Sequence, residues 1–293
     1  MSEQARDRYR LVALDIDGTI LDSAQRIAPE LKEALAGLVS RSLRVVLCTG
    51  RRWRSTVPIL AELEHAHPVV VCCGGALVKR ADDERTLYAR PMEHETAREA
   101  TAIFRRNSLV PMLLYDRPLS GHELKVALQD RAQADALPYL KANPGVCEWY
   151  AGDYPSVDEP PLIAYAMDEA GKIRVAMQDL RERLGDRAIV EAMAQPRYGA
   201  DQVALEVHDP GATKWHALHW LLEQWRMLPE QVVAVGDDVN DIPMLRAVGL
   251  SFAMGNASGE VKAAADAVTR SNDEHGVVEA LHSAFGSQPG TEA

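Results

Sequence analysis

Short, nearly unbroken apolar runs recur along this chain, separated by stretches whose apolar residues fall three and four apart. Residues 11–15 (LVALD), 44–50 (RVVLCTG), 68–75 (PVVVCCGG) and 231–238 (QVVAVGDD) read as strands, with a short last strand in LSFAMGN at 250–256. Strands that are apolar throughout, not alternating, belong to parallel sheets covered on both faces. The intervening stretches 29–40, 53–64, 213–225 and the one opening at 242 read as helices, the first with Pro29 in its opening turn. In the third, Trp215, Leu218, Leu222 and Trp225 form one apolar stripe.

The rhythm changes between residues 81 and 208. ERTLYARPM, LVPMLLY and PLIAYAM read as strands and 93–107 and 172–184 as helices, with irregular Pro- and Gly-containing chain over 143–161. AIVEAM and QVALEV form a closing strand pair joined by AQPRYGAD. The expected architecture is therefore an α/β, doubly wound (Rossmann-like) parallel-sheet core, residues 1–80 and 209–293, interrupted by an inserted α+β cap domain over 81–208. The tail GSQPGTEA is expected to be disordered.

In an open parallel sheet, ligands bind at the carboxyl ends of the strands, and reactive residues stand there in this chain. The first strand runs into Asp15-Ile16-Asp17-Gly18-Thr19, the second into Thr49-Gly50-Arg51, and a later one into Gly236-Asp237-Asp238, followed by Asn240 and Asp241. Thr213-Lys214 opens the helix between. Carboxylates drawn together repel unless a cation joins them, and a hard divalent ion such as Mg²⁺ suits oxygen ligands beside a phosphate. A lysine in a first helical turn is unfavourable against the helix dipole unless an anion binds there. Taken singly, these features also have plain structural readings: Asp15 and Asp17 as turn residues, Lys214 as a solvated lysine, Thr49-Gly50 as a strand-to-helix turn.

Net charge narrows the partners. At −11 over 293 residues, the chain is a poor candidate for binding nucleic acid or an anionic membrane. The charged opening MSEQARDRYR has no leader pattern and no apolar run approaches a membrane span, so a cytoplasmic protein is expected. Cys48, Cys72, Cys73 and Cys147 show neither zinc spacing nor a pairing pattern and are read as reduced thiols.

The motifs DIDGTIL at 15–21, CTGR at 48–51, Lys214 and GDDVND at 236–241 resemble those of the haloacid dehalogenase superfamily of phosphohydrolases. The trailing AMGNA, VKAAADAVT and SNDEHGVVEAL resemble its Cof-like branch, and the place of the insert resembles that of a type IIB cap. One departure is Gly74-Gly75-Ala76, where the branch usually carries Asn-Gly-Ala.

The resemblance implies a Mg²⁺-dependent hydrolase of small phosphorylated metabolites, sugar phosphates among them. Asp15 would be the nucleophile that forms an aspartyl-phosphate, and Asp17 the general acid–base. Mg²⁺ would be held by Asp15, Asp17 (through its backbone carbonyl) and Asp237. Ile16, Thr49, Gly50, Lys214 and Asn240 would contact phosphate, with Asn240, Asp241 and Asp238 as orienting groups behind. Arg51 has two readings, an ion-pair partner or a phosphate ligand. His208, His216 and His219 cluster around Lys214 in sequence, and Trp53 and Arg54 follow the second strand end. Arg90, His122, Arg197 and Tyr198 are candidates for substrate selection by the insert. Competing functions are a phosphotransferase of the phosphomannomutase type, a receiver-like signalling domain and a non-catalytic phosphate-binding protein. Oligomeric state is left open by the sequence.

Overall fold

The computed structural model describes residues 8–63, 68–119, 121–156 and 159–286. The expected helix end at Glu64 and the tail beyond Gly286 lie outside them. The chain divides into two compact units, one formed by Met1–Tyr88 with Thr213–Ala293 and the other by Ala89–Ala212.

The first unit begins with β1 (Leu11–Leu14), all four residues buried. A single wide turn, Ile16–Ile20, follows, and within it Asp17 and Gly18 leave helical backbone angles. Then come α1 (Pro29–Ser40), β2 (Arg44–Cys48), α2 (Trp53–Glu62), β3 (Val69–Cys72), β4 (Leu77–Arg80) and β5 (Thr86–Ala89). The sheet order is β14-β13-β12-β1-β2-β3-β4-β5, so the strand opening the chain lies in its interior. β1 pairs in parallel with β2 on one side and β12 on the other, whereas β4 runs antiparallel to β3.

The segment 84–92, expected as part of the insert, contains β5, an edge strand of this first sheet. A tight connection explains the difference: the Arg80 N–H donates to the Arg85 carbonyl at 3.0 Å, turning the chain back beside β4 before it can leave.

In the second unit, α3 (His94–Arg106) is followed by β6 (Met112–Leu114), β7 (Leu124–Ala127), the short helices α4 (Arg131–Ala134) and α5 (Pro138–Ala142), and β8 (Cys147–Tyr150). After these come β9 (Ile163–Glu169), α6 (Ala170–Leu184), β10 (Ile189–Ala194) and β11 (Gln202–His208). Its strands form one sheet, ordered β10-β11-β9-β6-β7-β8, with β10 and β11 paired as expected and antiparallel. Period-two alternation sends Ala164, Ala166, Leu205 and Val207 into a core with Ala97, Ala100 and Phe104 of α3 and Ile173, Ala176 and Leu180 of α6. β7 and β8 were not foreseen, the latter inside the stretch expected to be irregular, because Lys125 interrupts the apolar run of the first and no residue of the second is fully buried.

The chain re-enters the first unit at Thr213 and forms α7 (Lys214–Trp225), β12 (Val232–Gly236), α8 (Ile242–Ala247), β13 (Leu250–Ala253), α9 (Gly259–Ala264), β14 (Ala267–Val268) and α10 (Gly276–Phe285). β13 is therefore not the last strand. β14 extends the sheet by two residues, which is too short to leave a pattern in the sequence. Leu218 and Leu222 of the foreseen stripe are buried with Ala217 and Leu221 against Leu11, Ala13, Val232 and Ala234, while Trp215 and Trp225 pack at the margin. Each fully buried leucine contributes about 1.5–3 kcal/mol through removal of apolar surface from water. None of the described helices is long and apolar enough to cross a membrane.

Candidate active site

β12, β1 and β2 are neighbours, and their carboxyl ends carry Asp237, Asp15 and Thr49 respectively. Parallel pairing in register aligns those ends, as the Leu14–Val235 and Leu14–Leu47 pairs show. Asp15 is 4% exposed and its backbone N–H donates to the Val235 carbonyl at 3.0 Å, which stitches the acidic turn to the neighbouring strand.

Lys214 binds this arrangement from the first turn of α7. Its Nζ donates to Asp15 Oδ1 at 2.7 Å and to Asp241 Oδ1 at 2.8 Å, with the lysine 2% and Asp241 0% exposed. Thr213 caps the helix, its Oγ1 accepting the His216 N–H at 3.2 Å. Two glycines allow these approaches. Gly75 has φ +113°, and a Cβ there would lie 2.1 Å from the Thr213 carbonyl oxygen. Gly18 has φ +74°, and a Cβ there would lie 2.2 Å from Asp237 Oδ2. Gly74, where the branch usually carries Asn, adopts φ +65°, a left-handed conformation that Asn and Gly share as the least strained residues.

Asp241 Oδ2 accepts the backbone N–H groups of Asp237 and Asp238, both at 3.1 Å. With Lys214 on Oδ1, the Asp241 carboxylate takes three N–H donors and acts as a clasp on the turn after β12. Asp238 is exposed and accepts the Val239 N–H at 2.7 Å. Asp237 accepts from Thr19 Oγ1 at 3.1 Å and from Asn256 Nδ2 at 3.3 Å. Asn256 Nδ2 also donates to the Gly18 carbonyl at 2.9 Å. Thr19 and Asn256 are contacts that sequence reasoning did not assign, although Thr19 stands inside DIDGTIL and Asn256 inside AMGNA.

Oxygens of Asp15, Asp237 and Asp241 lie within 4.8 Å of one another, a cluster that fits a hard cation. Its electrostatics agree. Burial pushes the Asp15 carboxyl well above the usual carboxylate range despite the pull of Lys214. Burial, with Asp241 nearby, raises Asp237 to about 6. Such carboxylates take up a proton or a metal ion.

The other expected residues lie around this cluster. The Asp17 side chain is half exposed and receives Arg51, whose Nε donates to its Oδ2 at 2.7 Å. Arg51 is thus an ion-pair partner, the first of its two expected readings. Thr49 is fully buried, and its Oγ1 accepts the Arg51 backbone N–H at 3.0 Å. A Cβ on Gly50 would meet nothing within 4 Å, so the chain leaves open space there. The Ile16 side chain is buried. Asn240 Oδ1 is buried without a hydrogen-bond partner, and Lys214 Nζ is held by Asp15 and Asp241.

The histidines have other work. His216 Nδ1 lies 2.8 Å from Thr213 Oγ1, and His219 Nδ1 lies 3.9 Å from Glu223. His208 belongs to the second unit, where it is buried with its Nε2 3.6 Å from Glu191. Trp53 is buried, with Lys79 Nζ 5.8 Å from its ring centre, and Arg54 is half-buried. Within the second unit Arg90 pairs with Asp209 at 2.8 Å, His122 Nδ1 lies 2.6 Å from the Gly145 carbonyl, and Arg197 stacks over Tyr198.

A doubly wound core with a buried lysine clasped by strand-end carboxylates defines an α/β protein whose ligand site lies at the carboxyl edge of its sheet. Comparison makes the class specific. The model of the haloacid dehalogenase-like hydrolases matches residues 12–281, and the chain belongs to that family, in its Cof-like phosphohydrolase branch. Phosphatase YwpJ of Bacillus subtilis is 29% identical, over 92% of this chain and 97% of its own length. Pyridoxal phosphate phosphatase YbhA of Escherichia coli is 27% identical, over 94% and 98%. An Arabidopsis thaliana protein named endoribonuclease YBEY, chloroplastic, is 28% identical over 94% of this chain, which spans only 47% of that protein. Among solved structures, a haloacid dehalogenase-like hydrolase from Bacteroides thetaiotaomicron has a TM-score of 0.75 at 28% identity, covering 94% of this chain and all of its own. The subclass IIB sugar phosphatase BT4131 shares the fold, with a TM-score of 0.70 at 19% identity over 94% of this chain and 99% of its own.

Proposed function

We propose that the protein hydrolyses small phosphomonoesters by way of an aspartyl-phosphate on Asp15, with Mg²⁺ as its metal. The observation that carries this reading is the buried Lys214, held at 2.7 Å from Asp15 and 2.8 Å from Asp241, beside Asp237. A buried lysine between two carboxylates at a strand end supplies a fixed positive charge where an anionic substrate meets an anionic nucleophile.

In this reading an Asp15 carboxylate oxygen attacks phosphorus, forming the O–P bond as the ester oxygen departs. Asp17 gives its proton to that oxygen, then takes one from the water that attacks the aspartyl-phosphate, releasing inorganic phosphate and restoring Asp15. Lys214, Thr49 and the backbone N–H groups of Ile16 and Gly50 hold phosphate oxygens, with Asn240 at the rim. Asp15, Asp237 and the Asp17 carbonyl would hold Mg²⁺, which when bound neutralises phosphate charge. Asp241, with three N–H donors already on its carboxylate, orients Lys214 and the Asp237 turn, and Asp238 caps that turn.

Small metabolites are favoured over macromolecules as substrates. The net charge of −11 opposes nucleic acid, and the printed names of relatives include a pyridoxal phosphate phosphatase and a 5-amino-6-(5-phospho-D-ribitylamino)uracil phosphatase. The test is a panel of hexose, pentose and cofactor phosphates against phosphopeptides, with Mg²⁺ and with excess chelator. Expected are turnover of small esters, loss of it on chelation and recovery with Mg²⁺. Full turnover in chelator refutes the metal, and a tenfold or greater preference for phosphopeptides refutes the substrate class. Phosphoryl transfer to a sugar hydroxyl in place of water would establish the mutase alternative.

A further inference from the structure

Arg51 follows the second strand end, and its guanidinium reaches back across the sheet edge to the turn after β1. Its Nε donates to Asp17 Oδ2 at 2.7 Å while an Nη donates to Asp17 Oδ1, a two-pronged grip that fixes the plane of the carboxylate. The same Nη donates to Gln25 Oε1 at 2.7 Å. The arginine backbone is also fixed: its N–H donates to Thr49 Oγ1 at 3.0 Å and its carbonyl accepts the Cys73 N–H at 2.8 Å. Asp17 itself is half exposed, and among the described residues the contact that orients its side chain is this one.

We propose that Arg51, braced by Gln25, is the positioning residue for Asp17, setting the direction in which its protonated carboxyl group hands a proton to the departing oxygen. The proposal rests on the reading of Asp17 as general acid–base given above. Arg51 touches neither phosphorus nor the cluster of Asp15, Asp237 and Asp241 in this role; it acts through Asp17. A free half-exposed aspartate samples several rotamers, and proton transfer requires the acid within hydrogen-bond reach of the leaving oxygen.

The consequence depends on the leaving group. An alkoxide needs a proton to depart, whereas p-nitrophenolate leaves without one. Loss of Asp17 orientation should therefore slow phosphoryl transfer to Asp15 from alkyl phosphates and spare it from p-nitrophenyl phosphate, whereas the later hydrolysis of the aspartyl-phosphate, for which Asp17 takes the proton of water, is common to both. Loss of phosphate binding or of the fold slows both.

The experiment compares the single-turnover rate of leaving-group release, the step before hydrolysis of the aspartyl-phosphate, from an alkyl phosphate and from p-nitrophenyl phosphate for the full chain, with Mg²⁺, in wild type, Arg51→Ala, Arg51→Lys, Gln25→Ala, Asp17→Asn and the Asp17→Asn/Arg51→Ala double variant. Thermal melts check folding of each. Expected for Arg51→Ala is a fall in that release rate of roughly tenfold or more on the alkyl ester, with a change under about threefold on p-nitrophenyl phosphate. Arg51→Lys, which keeps the charge but not the fork, should recover part of the loss, and Gln25→Ala should show the same selectivity in milder form. In the Asp17→Asn background, Arg51→Ala should cost nothing further. Equal losses on both esters, or additive losses in the double variant, overturn the positioning role. An Asp17→Asn variant that slows release of both leaving groups equally overturns the general-acid reading on which it rests, a separate and recognisable failure.

Discussion

Replacing Lys214 with methionine removes the one cation that the described contacts place inside the acidic cluster while keeping the length of the side chain. In the native centre Lys214 Nζ lies 2.7 Å from Asp15 and 2.8 Å from Asp241, and all three residues are at least 95% buried. Breaking a buried pair by deleting one partner costs about 3–5 kcal/mol, because the remaining charge is neither solvated nor compensated. At roughly 2–4 °C per kcal/mol for a chain near this size, Tm should fall by about 6–20 °C. The assay is thermal unfolding in excess chelator, so that no metal substitutes for the lost ammonium, at pH 5 and at pH 8.

The pH arm separates this cause from lost packing. The Asp15 carboxyl is already raised by burial with the lysine present, and without it the pull toward the ionised form is gone. A carboxyl whose folded pKa exceeds its unfolded value binds more protons when folded, so stability falls as pH rises through the folded value. The penalty of Lys214→Met should therefore be larger at pH 8 than at pH 5. A penalty below about 1 kcal/mol, or one equal at the two pH values, would refute the electrostatic account of the cluster.

Asp15→Asn preserves shape but removes the attacking oxygen anion, and phosphatase activity should fall by several orders of magnitude in a chain that still folds; near-native turnover would contradict the mechanism. Gly75→Ala puts a Cβ 2.1 Å from the Thr213 carbonyl at φ +113°, so urea unfolding should show a loss of about 2 kcal/mol or more, and a loss under 0.5 kcal/mol would mean the close approach is dispensable. His208 is a pH-dependent element of the second unit: burial opposes its protonation, but the contact and charge of Glu191, the charge of Glu206 and the Asp209 backbone together outweigh this and raise its pKa above the usual value. Its contribution is then complete below about pH 6.5 and lost as pH rises through the raised value. Glu191→Gln should flatten that part of the Tm–pH profile, and an unchanged slope would remove the assignment.

The apolar runs determined much of this protein without any coordinates. Val232–Gly236 and Leu11–Leu14 are apolar because both faces of a parallel strand are buried, so their type and the sheet class were legible, and with them the edge where Asp15, Thr49, Asp237 and Lys214 would meet. The glycines beside these residues stand in the motifs, but their purpose does not: only the approach of Thr213 to Gly75 and of Asp237 to Gly18 shows why a side chain is excluded. β5 read as part of the insert because residues 84–92 carry no sign of which sheet they join; the hydrogen bond from Arg80 to the Arg85 carbonyl decides that. β14, two residues long, is defined by its partner β13 alone. The pairing of Asp17 with Arg51 and Gln25, and of Asp237 with Thr19 and Asn256, joins residues up to 218 positions apart. Local pattern reports the periodicity of burial, which each segment carries in itself. Which polar side chain receives which donor is settled by the distances between segments, and these exist only once the sheet has assembled.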